Sequence, residues 1–405
     1  MVHSGDINLK YRCYFISVIL SISGIGFFLY TQGWFILNLK GSSLSVGLAW
    51  SMFFTPSIFV LPIFGKLLNS VYSKKTIVYS EFLKAFLMIV FIPIIYVWPN
   101  IYLVYLLSSL MGILFAIFIP SLFVILKNVF NNVKTVKYSH LLEISIQIGS
   151  AVSIFLSGYI YSAAGFELTL LIGGILTVCS ALLLMMIPID VQGKLEPIHI
   201  FKEYKEYIKF TLKSILKKEK KCFTNHLFGI LHQFPQNIIL ILNIPLIIYV
   251  DKAMRKSSFQ YGIIDASIGL VAMLCGLFWS RHFKMSQKKI IMVCMPIGVF
   301  LLFAVIYCIN PESYLVYFVF PFLGFFLCSS KIQCRAAVLT QTPSDKIGEL
   351  TAFYQAATYL ILIVMSFSIS YLVDILSPQI IFVMLGVLML LFSVYIWRSY
   401  HEKIF

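Results

Sequence analysis

Twelve apolar segments follow one another along the chain, and short polar stretches separate them. A bilayer core about 30 Å thick needs roughly 20 apolar residues per helix, and each segment reaches that length. The pattern therefore predicts an all-α membrane protein. Its twelve transmembrane helices are expected near residues 13–37, 44–70, 76–97, 101–126, 138–163, 168–188, 223–250, 258–283, 288–309, 313–341, 350–375 and 378–397.

The loops between these segments carry their Lys and Arg residues unequally. With the N-terminus in the cytosol, the inside segments, counted with the three adjoining residues of each helix end, hold 23 of these residues and the outside loops hold 4. Since basic residues are enriched in cytoplasmic loops, we expect a multi-pass protein of the cytoplasmic membrane with both termini in the cytosol. One outer loop is an exception to this rule, because it contains three basic residues, Lys252, Arg255 and Lys256. We interpret it as a solvated turn, and a cationic outer rim is the alternative.

Composition excludes several classes of protein. Of the 405 residues, 60% are hydrophobic and 12% are charged, whereas soluble domains have about 25% charged residues. A water-soluble globule is therefore excluded. The net charge of +15 flanks the apolar segments and is not interleaved with aromatic residues as in a nucleic-acid reader. The expected partner is the lipid bilayer and not nucleic acid.

One long polar stretch divides the chain. It covers residues 189–222 and carries nine lysines, so the sequence predicts a six-helix half at 1–188, a basic cytosolic linker at 189–222 and a second six-helix half at 223–405. Apolar residues recur at helical spacing from Phe201 to Leu216. This segment is either an amphipathic helix on the membrane surface or a soluble linker helix.

Short motifs add a family resemblance to this architecture. The segment after the second span, from Gly65 through Asn69 to Lys74 and Lys75, resembles the signature loop of the major facilitator superfamily, although Asn69 stands in place of the family's acid. The resemblance implies two pseudo-symmetric six-helix halves that rock about a central site. It also implies a gating role for the signature loop and for Glu81 and Lys84 on span three.

Other landmarks resemble the branch of macrolide-efflux and enterobactin-exporter-like proteins. They are the segment Leu39–Leu48, the pair Glu81 and Lys84, and Thr340–Pro343 followed by Gly348. At this last motif Glu349 stands where the family has arginine. The branch resemblance implies export of a small molecule, but no motif specifies which one.

Polar side chains on span seven share one helix face. At 100° per residue, Asn225, His232, Gln236 and Asn243 lie within about 40° of one another. With Tyr30 and Gln32 of span one, we interpret His232, Gln236 and Asn243 as lining a substrate cavity. Hydrogen bonding between helices is the alternative, because Asn and Gln commonly join membrane helices.

Ionisable residues inside spans are candidates for function because they are costly to insert. We interpret Asp265, His232 and Glu143 as candidates for proton coupling, although Glu143 could simply face cytosolic water. On span ten, Lys331 and Arg335 either snorkel to the interface or attract anions at the inner mouth of the cavity. Glu81 and Lys84 are expected to pair with each other or with the signature loop.

These features predict a secondary active transporter, most simply a proton-coupled exporter of an amphipathic small molecule such as an antibiotic, a drug or a siderophore-like metallophore. An uptake facilitator on the same fold is the first alternative, and a non-transporting membrane receptor or a membrane-embedded enzyme is a more distant one. We expect no enzyme activity, since no clustered nucleophile, base or metal ligands occur, and no nucleotide-binding loop or other cofactor site is present. The expected partners are the substrate, protons and lipid, and the expected assembly is a monomer.

Overall fold

The computed structural model describes residues 4–40, 42–68, 73–129, 135–187, 233–282, 288–341 and 347–401. In these ranges the chain forms eleven helices long and apolar enough to cross a membrane. They are α1 (Ser4–Lys40), α2 (Ser43–Leu68), α3 (Ser73–Val97), α4 (Ile101–Val129), α5 (Thr135–Met186), α6 (Phe234–Ile248), α7 (Ser258–His282), α8 (Lys288–Cys308), α9 (Leu315–Gln341), α10 (Ile347–Ile375) and α11 (Pro378–His401).

Helix α5 contains two of the predicted spans. Its 52 residues would extend about 78 Å as one straight helix, more than twice the thickness of a bilayer core. The helix is broken at Gly165, which has φ 79° and ψ −167°. Almost only glycine adopts this conformation. The break falls between the fifth and sixth predicted spans, so the prediction of an all-α protein with twelve spans is confirmed.

The seventh predicted span differs in its bounds. Its described part begins at Phe234, with Pro235 in the first turn, where the missing N–H of proline is tolerated. After Pro245 the helix widens into a π-helical turn from Tyr249 to Ala253, so the span ends three residues later than predicted. The predicted linker and its amphipathic helix lie outside the described residues, as do Asn225 and His232.

Two helix pairs form the most extensive contacts between the halves of the bundle. The first half consists of α1–α5 and the second of α6–α11. Helix α2 packs on α10, and the first span of α5 packs on α7. In both pairs the second span of one half meets the fifth span of the other, as an approximate two-fold relation between the halves requires.

The two ends of the bundle need separate names. We call the end with the chain termini proximal and the opposite end, where α1 connects to α2 and α10 connects to α11, distal. Several aromatic side chains near the distal ends of the helices are more than half exposed, among them Tyr96, Trp98, Tyr102, Tyr307 and Tyr314. Such rings are enriched at membrane–water interfaces, as expected of a multi-pass membrane protein.

Candidate functional site

A buried ion pair joins the two halves in the proximal part of the bundle. The Lys331 Nζ atom of α9 lies 2.5 Å from the Glu143 Oε1 atom of α5, and both side chains are less than a tenth exposed. At 1.5 Å per residue, Glu143 lies about 12 Å along α5 from its proximal end. The pair therefore lies within the bundle and not at its rim.

Polar side chains from both halves surround this pair. The Gln147 amide, one turn along α5, donates a hydrogen bond to Glu143 Oε1 at 2.8 Å. On the other half, the Trp279 indole N–H donates to Ser329 Oγ at 2.9 Å, and Cys275 Sγ is also 2.9 Å from that oxygen. We call Glu143, Gln147 and Lys331 the proximal cluster.

The proximal cluster differs from two sequence-based expectations. Lys331 does not snorkel to the interface, because its amine turns across to Glu143 in the other half. Glu143 is 1% exposed and does not face water. Arg335 lies one turn further along α9, but its side chain is outside the described residues.

A carboxylate holds the halves together at the distal end. Asp374, at the end of α10, accepts hydrogen bonds from the Leu44 backbone N–H at 3.2 Å and from Ser42 Oγ at 3.5 Å. Leu44 lies in the first turn of α2, where backbone N–H groups have no partner in the helix and favour a negative charge. Lys252 lies 3.6 Å from the other Asp374 oxygen. Asp374 therefore caps a helix that belongs to the opposite half.

Small residues allow the helices of the two halves to approach each other closely near this distal contact. A Cβ atom on Gly47 of α2 would lie 2.8 Å from the Ser366 carbonyl oxygen of α10. A Cβ atom on Gly158 of α5 would lie 3.2 Å from the Gly262 Cα atom of α7. The helices of these two main pairs between the halves therefore approach each other closely at the distal end.

Aromatic side chains from both halves meet at Tyr261, which lies one helical turn from Asp265 on α7. The Tyr261 hydroxyl donates to Asp265 Oδ2 at 3.4 Å. The Tyr261 ring lies 5.4 Å from the Tyr30 ring and 6.1 Å from the Trp34 ring of α1. Tyr30 also donates to the Ser258 carbonyl at 2.5 Å. We call Tyr30, Trp34, Tyr261 and Asp265 the distal cluster.

The other predicted cavity residues do not form one cluster. Gln32 is 1% exposed and accepts a hydrogen bond from Ser108 of α4, in its own half, at 2.5 Å through its Oε1 atom. Gln236 and Asn243 lie on one face of α6, and both are partly exposed. His232 lies outside the described residues, so the structure does not place it relative to Asp265.

The predicted gating residues on span three form a pair inside the first half. Lys84 Nζ lies 2.5 Å from Glu81 Oε1, 3.2 Å from Ser21 Oγ and 4.4 Å from the centre of the Phe118 ring. Both charged side chains are almost fully buried. The pairing that the sequence suggests is therefore present, and no partner of this pair comes from the second half in the part of the chain described.

The signature loop is described only at its flanks. Lys74 donates to the Met185 and Ile187 carbonyls at the end of α5, at 3.0 and 2.5 Å. A cation at a helix C-terminus satisfies free carbonyls and the helix dipole. Lys75 is exposed, Gly65 lies within α2, and Asn69 is outside the described residues.

Sequence reasoning did not identify three residues of these contacts. Trp34 follows Tyr30 by one helical turn and Tyr261 precedes Asp265 by one turn, so their spacing could have indicated shared faces. Asp374 is the acidic residue nearest the distal end of α10. No sequence pattern, however, shows that it caps α2.

Comparison with known proteins identifies the class of this fold. The human organic anion transporter MFSD10 (TETRAN) has a similar structure, with a TM-score of 0.76 and 12% identity over 96% of this chain and 99% of the other. The proton:xylose symporter XylE has a TM-score of 0.71 and 12% identity over 98% and 96%. A bacterial homologue of the iron transporter ferroportin, in an outward-facing state, has a TM-score of 0.66 and 13% identity over 96% and 99%. At these identities the likeness shows the fold alone, which this chain shares with these three transporters.

The sequence comparison gives the family. The profile of the Major Facilitator Superfamily matches residues 14–330 and, in an overlapping second match, residues 229–404. The chain therefore belongs to the Major Facilitator Superfamily, and the family resemblance of its motifs is confirmed at that level. Among curated protein sequences, none matches this chain.

Proposed function

We propose that this protein is a proton-coupled secondary transporter of the cytoplasmic membrane, which exports an amphipathic small molecule such as an antibiotic or a metallophore. Its distal end would face the outside and both termini the cytosol, as the loop charges predict. Tyr30, Gln32, Gln236 and Asn243 would line the substrate path, with His232 as a further candidate. The observation that carries the proposal is the buried Glu143–Lys331 ion pair between the halves.

This ion pair could couple protonation of Glu143 to separation of the two halves at the proximal end. Removing one charge from a buried pair leaves the other without compensation, which is strongly destabilising. A proton that binds the Glu143 carboxylate neutralises it, so Lys331 loses its partner and the proximal contact weakens. Loss of that proton to the cytosol restores the pair and closes the proximal side again.

The distal contacts provide the second barrier that alternating access requires. Asp374, Gly47 and the Gly158–Gly262 crossing hold the outer ends together. Since the proximal pair is also formed, this conformation has contacts between the halves at both ends. Transport would then require each barrier to open while the other stays closed.

A substrate-independent experiment tests this alternation. Spin labels at Trp98 and Tyr314 report the distal distance between the halves, and labels at Met186 and Trp397 report the proximal distance. All four side chains are more than half exposed. We expect each pair to show two distance populations, with distal opening accompanied by proximal closure. A single distance population at both ends, unchanged by pH and by Glu143→Gln, would contradict the proposal.

A second experiment tests coupling and direction. Everted vesicles with an imposed proton gradient are exposed to a panel of amphipathic antibiotics and metal chelators. Export predicts that a substrate dissipates the gradient in everted vesicles with the wild-type protein, and that Glu143→Gln abolishes this. An uptake facilitator would instead let the compound enter right-side-out vesicles, up to equal concentrations on both sides, without a proton gradient.

A further inference from the structure

Asp265 is a buried carboxyl group whose charge has no balancing cation in the described structure. It is 8% exposed, and the hydrogen bond that it accepts from Tyr261 is long at 3.4 Å. None of the ion pairs between described residues includes it. A carboxylate removed from water in this way requires a counter-charge, either a bound proton or a cation.

The groups around Asp265 favour an organic cation as that counter-charge. Tyr261 lies on its own helix, and Tyr30 and Trp34 come from α1 of the other half. Tyr30 contacts the ring of Tyr261, and the hydroxyl of Tyr261 donates to Asp265. The faces of Tyr and Trp rings attract cations within about 6 Å. A carboxylate flanked by such rings is therefore suited to a substituted ammonium group with an apolar body.

A second polar group in the distal cluster lacks a partner. The Trp34 indole N–H is fully buried, and no acceptor for it is found among the described residues. Buried donors are normally paired, and Trp34 contacts the Tyr261 ring beside Asp265. A ligand oxygen next to the cationic nitrogen could accept this hydrogen bond.

We propose, building on the transport function above, that the distal cluster recognises substrates that carry a basic or quaternary nitrogen beside an aromatic or apolar surface. Asp265 supplies the charge, and Tyr30, Trp34 and Tyr261 supply ring faces. Because Asp265 and Tyr261 belong to one half and Tyr30 and Trp34 to the other, one bound cation contacts both halves. This position lets substrate binding influence how the halves close.

Binding of matched probes to the purified full-length protein tests the charge requirement. Tetraphenylphosphonium is the aromatic cation, triphenylphosphine oxide the neutral analogue and tetraphenylborate the anion of similar shape, and benzyltrimethylammonium is a smaller cation. We expect the wild-type protein to bind a cation, with neither the neutral nor the anionic probe competing for that site. Absence of binding by both cations, or equal competition by tetraphenylborate, would overturn the proposal.

Variants locate the site. Asp265→Asn should weaken cation binding at least tenfold, whereas Asp265→Glu should retain it within about threefold. Glu312→Gln, at an exposed distal carboxylate, serves as the matched control and should leave it unchanged. Trp34→Leu should weaken binding several-fold more than Trp34→Phe, which keeps a ring face. The melting temperature of each variant shows whether it is folded.

The outcomes separate this inference from the transport proposal. If Asp265→Asn binds the cation as tightly as the wild type, the substrate class is wrong. Spin-label distances that still alternate would then leave the transport function intact. If those distances do not alternate at all, the transport proposal fails whatever the binding results show.

Discussion

Glu143 and Lys331 are separated by 188 positions in the sequence, yet their side chains are 2.5 Å apart and buried at the boundary between the two halves. Glu81 and Lys84 form a second buried pair at the same distance, but within the first half. The two pairs are alike in chemistry and burial and differ in whether they cross the boundary. This difference makes them natural controls for each other.

Removing one charge of the pair between the halves should lower stability, and removing the other charge as well should restore part of it. Lys331→Met leaves Glu143 buried without its partner, and we expect the free energy of unfolding to fall by about 3–5 kcal/mol. The double variant Glu143→Gln/Lys331→Met should be more stable than Lys331→Met, because no unpaired charge remains. Unfolding in SDS measures all three proteins. A double variant with strictly additive losses would show that the ion pair is not the source of the effect.

The two buried pairs should differ in their effect on conformation. Glu143→Gln/Lys331→Met is expected to increase the proximally open population in the spin-label experiment, because it removes a link between halves. Glu81→Gln/Lys84→Met should lower thermal stability while leaving both distance distributions unchanged. Equal shifts of the proximal distance in the two double variants would contradict the assignment of the proximal cluster as a gate.

Asp374 should hold the distal ends of the two halves together mainly by capping α2 and only weakly by its ion pair with Lys252. Lys252 and Asp374 are 47% and 32% exposed, and exposed pairs contribute at most about 1 kcal/mol. Lys252→Met is therefore expected to change the distal contact between the halves little. Asp374→Leu also removes the cap of α2 and should raise the reactivity of a cysteine placed at Ser258, in a background without other cysteines, towards an impermeant maleimide. The same reactivity in both variants would show that the cap does not hold the distal end.

Enlarging a glycine between the halves should open the distal end. In Gly158→Val the side chain would meet the Gly262 backbone, so we expect a larger distal distance between the labels at Trp98 and Tyr314. Gly174→Val is the matched control, since a Cβ atom there would lie 3.1 Å from Ile89 in the same half. It should lower stability without changing that distance. An unchanged distal distance in Gly158→Val would argue against tight closure at this crossing.

The break in α5 should tolerate no residue but glycine. Because Gly165 has φ 79° and ψ −167°, we expect Gly165→Ala to lower stability by about 1–3 kcal/mol. Gly165→Asn should not be better, since this conformation lies outside the left-handed helical region that Asn tolerates. Unfolding in SDS gives both values. A fully stable Ala variant would mean that the chain turns differently here.

The sequence by itself determined the number of spans and the class of the protein. Both follow from local quantities, namely the length of each apolar segment and the cost of leaving backbone polar groups unpaired in lipid. The pairing of Glu81 with Lys84 was also predictable, because residues three apart lie on one helix face. The motif from Gly65 to Lys75 led to the correct superfamily because its residues are contiguous in the chain, so it can be recognised without knowing the fold.

Only the tertiary structure decided which distant groups meet. Lys331 was expected at the membrane interface or at the mouth of a cavity, and helical spacing could not show that α9 turns it towards Glu143. The cap that Asp374 places on α2 and the rings that α1 brings to Asp265 depend in the same way on helix packing. Lipid-embedded helices of similar hydropathy are nearly interchangeable by sequence pattern, and their neighbours are selected by close contacts between small residues such as Gly158 and Gly262.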